Sequence, residues 1–123
     1  MKKEIYKEYY SYLRGQPLYC EAPYINGQIH GIERRYWPNG KLRSETPYVN
    51  GRKHGVEKYY YENGKLKHKA VYINGQVCGI AKWYNIDGQL WYMRYFWRGE
   101  EITKEQWSNI PRLTKVLNGV VEE

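Results

Sequence analysis

Three residues recur in one column of this sequence at a spacing of 24: His30, His54 and Cys78. Two imidazoles and a thiolate are ligands that zinc accepts, but all three would have to lie within about 2 Å of one ion. Glu33 and Glu57 recur at the same interval, and carboxylates in pairs can act as general acid and base. A further column holds Arg34, Lys58 and Lys82, beside one that holds Arg35, Tyr59 and Trp83. Cations interleaved with rings can follow a single nucleic-acid strand by phosphate contact and stacking. Ser11, Ser44 and Ser108 have no nucleophile context, and no glycine run leads into a helix in the phosphate-loop pattern.

Whether any column converges depends on the elements that carry it. The chain aligns on itself without a gap as copies 24–47, 48–71 and 72–95, with a partial copy at 96–102. Residues 5–23 read as a worn leading copy, since Leu18, Glu21 and Pro23 fall on the columns of Leu42, Glu45 and Pro47. A period of this size marks stacked supersecondary units. Asn39-Gly40, Asn63-Gly64 and Asp87-Gly88 suit two-residue type I′ hairpin turns, which need two residues at positive φ. Asn26-Gly27, Asn50-Gly51 and Asn74-Gly75 open the other connection, where Gly31, Gly55 and Gly79 permit a bulge or longer loop. The intervening runs are rich in Tyr, Trp, Val and Ile, as strands prefer. The expected fold is mainly β: a single-layer antiparallel meander over residues 1–102, closed by a helical C-terminal cap over 103–123.

In such a ribbon, equivalent residues of successive copies stand two strands apart, roughly 9–10 Å. That spacing predicts no metal site at His30, His54 and Cys78, and no acid/base pair at Glu33 and Glu57, which should pair with Arg or Lys across strands instead. His68 reads as a solvated strand residue, and no cofactor or catalytic constellation is expected. Simple alternation places Leu42, Leu66 and Leu90 on one side with Tyr48, Tyr72 and Phe96. The other side carries Lys41, Arg43 and Glu45, then Lys65, Lys67 and Lys69, and in the third copy Trp91, Met93, Tyr95 and Trp97. Thr103 with Gln106 predicts a capping box, Pro111 the start of a second short helix and Asn118-Gly119 its stop. Trp107, Ile110, Leu113, Val116 and Leu117 form the apolar stripe of this tail.

Composition fits a binding role. The 123 residues carry a net charge of +7 and 17% aromatics, chiefly 15 Tyr and 5 Trp, at a mean hydropathy of −0.90. Rings at that density argue against disorder, and amphipathic rings suit a thin sheet with both faces near water. No apolar run follows Met1, so neither a signal peptide nor a transmembrane segment is expected. Cys20 and Cys78 form no close-spaced motif, so free thiols in an intracellular compartment are expected. The function expected is a non-enzymatic protein–protein interaction module. Its docking surface is placed at Trp83, Trp91, Tyr95 and Trp97, with Trp107 covering that patch or joining it. The alternative is an electrostatic binder of anionic membrane or nucleic acid through Arg34, Lys58, Lys82, Arg43 and Lys67. Self-association through open sheet edges is a third expectation.

The pattern Tyr-x-Asn-Gly-x-x-x-Gly, followed by aromatics and then by Asn39-Gly40-Lys41-Leu42 or Asn63-Gly64-Lys65-Leu66, resembles the variant MORN repeat. The resemblance covers roughly residues 24–102 and departs from the pattern at Cys78 and at Ile86-Asp87-Gly88. It implies an open twisted β-meander used for protein association, with lipid contact in some MORN proteins. Its bacterial members include YwqK-family antitoxins, which implies a toxin or a complex subunit as partner. No partner-binding residue carries over, because the shared columns are structural.

Overall fold

A computed structural model describes residues 1–120. The long strands are β1 (Lys3–Tyr9), β2 (Leu18–Ile25), β4 (Gly31–Tyr36), β5 (Leu42–Val49), β7 (Gly55–Tyr60), β8 (Leu66–Ile73), β10 (Gly79–Tyr84) and β11 (Leu90–Trp97). With the three-residue β12 (Glu100–Ile102) they hydrogen-bond in sequence order, each antiparallel to the last. Two-residue strands β3 (Gln28–Ile29), β6 (Arg52–Lys53) and β9 (Gln76–Val77) fold back on the ends of β2, β5 and β8. The sheet is the expected open meander. Helices α1 (Lys104–Asn109) and α2 (Arg112–Leu117) follow it, and neither is long and apolar enough to cross a membrane. The last three residues of the expected cap, 121–123, lie outside the described residues.

Two local readings are corrected. Type I′ geometry belongs to Asn26-Gly27, Asn50-Gly51 and Asn74-Gly75, where both residues are at positive φ, as at Asn50 (47°) and Gly51 (82°). At Asn39-Gly40 only the glycine is left-handed. That turn is longer, closed by the Gly40 N–H donating to the Trp37 carbonyl at 2.8 Å and the Lys41 N–H donating to Asn39 Oδ1 at 2.9 Å.

The second correction concerns faces. The register slips between Arg35 and Tyr36, so that Arg35 opposes Ser44 while Tyr36 opposes Leu42. The same slip recurs in the next two copies. Arg43, Lys67 and Trp91 are therefore extra, bulged residues, and a bulge reverses the alternation beyond it. Leu42, Leu66 and Leu90 consequently lie on the opposite face from Tyr48, Tyr72 and Phe96.

One face, here the ladder face, carries Cys20, Ala22, Ser44, Thr46, Glu57, Ala70 and Ala81, all buried. The other, the cap face, receives the tail. Thr103 caps α1 as expected: its hydroxyl accepts the Gln106 N–H at 3.0 Å, and Gln106 Oε1 accepts the Thr103 N–H at 2.9 Å. Trp107 is buried with Cys78 and Val120, and Ile73, Ile80, Tyr95, Trp97, Ile102 and Ile110 pack around them. The expected apolar stripe is only half used. Leu113, Val116 and Leu117 are 68%, 55% and 75% exposed, while Lys115 is buried with its ammonium 4.1 Å from the Trp107 ring centre.

Successive copies are stapled along both rims. Tyr61 donates its hydroxyl to the Tyr84 carbonyl at 2.8 Å, and Trp37 Nε1 donates to the Tyr60 carbonyl at 3.3 Å. On the opposite rim the N–H of Asn50 donates to His30 Nδ1 at 3.2 Å, and that of Asn74 to His54 Nδ1 at 3.1 Å. The loop histidines thus have a structural role that spacing alone did not reveal. Cys78 takes their column in the third copy and is buried under the cap instead.

Candidate functional site

Cross-strand pairing arranges side chains in transverse rows, and two rows matter for function. On the ladder face the row runs Arg35, Ser44, Tyr59, His68, Trp83 and Tyr92. Trp83 lies between two rings: His68 at 4.3 Å and Tyr92 at 4.7 Å, the latter nearly parallel at 9°. Tyr59 continues the stack at 5.9 Å from His68, and the Arg94 guanidinium stands 5.8 Å from the Trp83 ring centre. Both faces of Trp83 are occupied within the sheet, which leaves its edge for solvent. His68, expected to be a solvated strand residue, is instead half-buried between the rings of Tyr59 and Trp83. Its Nδ1 donates to the Lys82 carbonyl at 3.1 Å, and burial depresses its pKa below the ordinary 6.5 despite that bond.

Beside this stack lies a polar cavity of about 90 Å³ lined by Glu33, Arg35, Thr46, Tyr48, Lys53 and Glu57. Buried Glu57 accepts from the Thr46 hydroxyl at 2.9 Å and from Lys53 Nζ at 2.8 Å. Burial works against the Lys53 ammonium, yet its bond and charge interaction with Glu57 outweigh this and raise its pKa. Glu33 pairs with Arg35 at 3.2 Å. Both glutamates therefore find cations, but along their own stretch of chain rather than across strands. Each charge inside the cavity is matched by its opposite.

On the cap face the row runs Lys7, Glu21, Arg34, Glu45, Lys58, Lys69, Lys82 and Met93. Its first half alternates in sign, with Arg34 and Glu45 paired at 3.4 Å. The second half sets Lys58, Lys69 and Lys82 side by side on three neighbouring strands. Tyr36, just above, donates its hydroxyl to Glu21 at 2.8 Å, and burial together with that bond pushes its pKa up to about 12.

These rows separate residues that the sequence reading grouped. Arg34, Lys58 and Lys82 lie on the cap face, whereas Arg35, Tyr59 and Trp83 lie on the ladder face, so cations and rings do not share a track. Arg43 and Lys67 sit at the bulges and turn onto the rings of Trp37 and Tyr61, at 4.6 and 5.5 Å. Of the aromatic set, Trp83 is on the ladder face, while Tyr95, Trp97 and Trp107 form the core under the cap. Trp91 lies at the edge of the ladder-face stack, its ring meeting that of Tyr92 edge-on at 5.0 Å. It is 71% exposed at the bulge of β11, beside Leu90 at 49% and Met93 at 38%. Its column holds Arg43 and Lys67 in the earlier copies. Among the described residues no group of three metal-ligating side chains converges, and Cys20 and Cys78 are free.

An open antiparallel array of near-identical units, carrying its side chains in transverse rows, is the architecture of a β-repeat protein. More particularly, residues 29–50 and 53–74 each match the model of the MORN repeat variant. No curated protein matches the chain. One solved structure, the crystal structure of accessory secretory protein 1,2 and 3 in Streptococcus pneumoniae, aligns over 73% of this chain with 13% identity and a TM-score of 0.42. The aligned part spans 17% of that chain.

Proposed function

We propose that this protein is a non-enzymatic docking module that binds another protein through the exposed apolar group Leu90, Trp91 and Met93 of its last full copy. The observation that carries this reading is Trp91, a tryptophan 71% exposed at a position where the preceding copies carry cations. Tryptophans of this kind commonly dominate the energetics of protein interfaces, and a clustered exposed apolar group is what a partner covers. A toxin or a subunit of an intracellular assembly, as the MORN resemblance implies, would engage this same surface.

The test is site-specific photo-cross-linking from position 91 in cells, compared with the same probe at Glu62 on an exposed turn. A single defined adduct from position 91, lost on Met93→Asp and Leu90→Asp, is the expected result. Equal labelling from both positions overturns the reading.

A second reading rests on Lys58, Lys69 and Lys82, whose juxtaposition concentrates positive charge in a chain of net charge +7. Binding of anionic vesicles or single-stranded nucleic acid through this row would fall steeply with added salt. Affinity that is flat in salt removes this reading.

A further inference from the structure

The seam between copies is built the same way three times. Strand β2 meets β4 through Cys20 with Arg35 and Glu21 with Arg34. Strand β5 meets β7 through Ser44 with Tyr59 and Glu45 with Lys58, and β8 meets β10 through His68 with Trp83 and Lys69 with Lys82. By the same period the fourth seat lies on β11 at Tyr92 and Met93. Strand β12 approaches it, pairing Ile102, Glu101 and Glu100 with Tyr95, Phe96 and Trp97. Thr103 then falls on the column of Gly31, Gly55 and Gly79 and caps α1, so the chain leaves the edge. Among the described residues no strand pairs with this side of β11 from Leu90 to Arg94.

Burial records the missing strand. Ala22, Thr46 and Ala70 are buried, whereas Arg94 in their column is exposed. Leu42 and Leu66 are half-buried, whereas Leu90 is exposed. The chemistry changes as well. Glu21, Glu45 and Lys69 give way to Met93, and Arg43 and Lys67 to Trp91. A free edge is ordinarily protected by charge, and a terminal repeat ordinarily has a polar outer face. Here the edge is apolar.

The backbone of Met93 also aims into the seat. The Val71 carbonyl accepts the Cys78 N–H at 2.8 Å, on the side of the next copy. Successive residues of a strand address alternate neighbours, so Lys69 faces the next copy too, and Met93 holds the Lys69 column.

We infer that the partner engaging the Trp91 surface contributes an extended segment that fills this seat as an added strand, antiparallel to β11. The inference rests on the docking reading above and specifies its mode: main-chain pairing, with side chains read on either face. A ring opposite Tyr92 continues the ladder-face row, as Trp83 stands 4.3 Å from His68 across the preceding seam. An aliphatic stem opposite Met93 covers the cap-face side. The equivalent strand of a second copy, β1, does not fit. With Lys7 opposite Met93, its Ile5 would fall on Tyr95, which Ile102 already pairs.

The probe is a synthetic peptide with the sequence of β10, Gly-Ile-Ala-Lys-Trp-Tyr, the strand that fills this seat on β8. It is titrated to millimolar concentration into the isotope-labelled full chain and followed by amide NMR. Shift changes centred on Leu90, Trp91, Tyr92, Met93 and Arg94, with slowed exchange of the Met93 amide, are expected. Methylating the peptide nitrogen at the Lys82 position should abolish binding. Methylation at the Trp83 position, whose N–H faces away, should not. In the protein, Met93→Pro should abolish binding and Met93→Val should retain it; Pro23 and Pro47 already stand at outward-facing strand positions. No shift change, changes centred elsewhere, or indifference to which nitrogen is methylated overturns the inference. A defined photo-adduct from position 91 alongside any of those results retains the docking reading and removes only the added strand. Without that adduct both fall.

Discussion

The backbone N–H of Asn74 donates to Nδ1 of His54 at 3.1 Å, across the junction of two copies. His30 receives the N–H of Asn50 one copy earlier in the same way. A ring nitrogen that accepts an N–H carries no proton itself, so the staple also fixes the tautomer of each imidazole. The donor is an asparagine held at positive φ by the type I′ turn, so turn chemistry and copy-to-copy stacking depend on each other.

Replacing His54 by Ala removes the acceptor, although water can reach the exposed amide of Asn74. The expected cost is about 1 kcal/mol, in the range for a net hydrogen bond. Urea midpoints read it, and the slope of the transition should be unchanged.

Gly55 and Gly64 separate steric conflict from backbone strain. A Cβ on Gly55 would meet Pro47 Cγ at 2.9 Å, at φ +122°. At Gly64, φ is +89° and nothing lies within 4 Å. Gly64→Ala should cost about 1–2 kcal/mol from the left-handed backbone. Gly55→Ala should cost clearly more, about 3 kcal/mol, because Pro47 must also move. Equal midpoint shifts would show that Pro47 yields freely.

Acid should weaken the fold through His68. Its folded-state pKa lies below the unfolded 6.5 because burial penalises the imidazolium. Between those two values the unfolded chain binds the extra proton. Stability is therefore complete above about pH 6.5 and is lost as pH falls through the folded-state value. His68→Phe keeps a ring beside Trp83 and removes this contribution. The difference between wild-type and variant urea midpoints should be flat well above pH 6.5 and should change as pH falls below it.

The cap can be loosened without touching the sheet. Thr103→Ala deletes one arm of the capping box, at about 1 kcal/mol. Trp107→Ala opens the core beneath, at about 3–4 kcal/mol of local packing. Both should speed alkylation of Cys78, which is 3% exposed, and Trp107→Ala the more. Trp91→Ala should leave stability within about 0.5 kcal/mol and the alkylation rate unchanged.

The meander was legible because Asn-Gly pairs and strand-forming runs recur in phase, and both act over a few residues. The capping box at Thr103 and Gln106 was legible for the same reason. Which turn was type I′ was not, since an Asn-Gly dipeptide serves either geometry and the closing hydrogen bonds decide. The bulges at Arg43, Lys67 and Trp91 were hidden because an inserted residue leaves no mark on composition. It nevertheless changes the face of Leu42, Leu66 and Leu90, whereas the expected aromatic surface is split by cross-strand register, which sets Trp83 opposite Tyr92. Trp83 went to one face and Tyr95 and Trp97 to the other, so only Trp91 stayed fully open. His68 was read as solvated because its partners, Trp83 and the Lys82 carbonyl, lie more than a dozen residues away.

The copy-to-copy bonds described above span one junction each, and the sheet closes on nothing. Length is consequently an adjustable quantity in this molecule. Excising residues 48–71 would join Pro47 to Tyr72, where a proline–tyrosine step already stood, and would shorten the ribbon by two strand widths, about 10 Å. Duplication would lengthen it by the same step. Counting the units therefore sets the breadth of the sheet, one fixed step per copy.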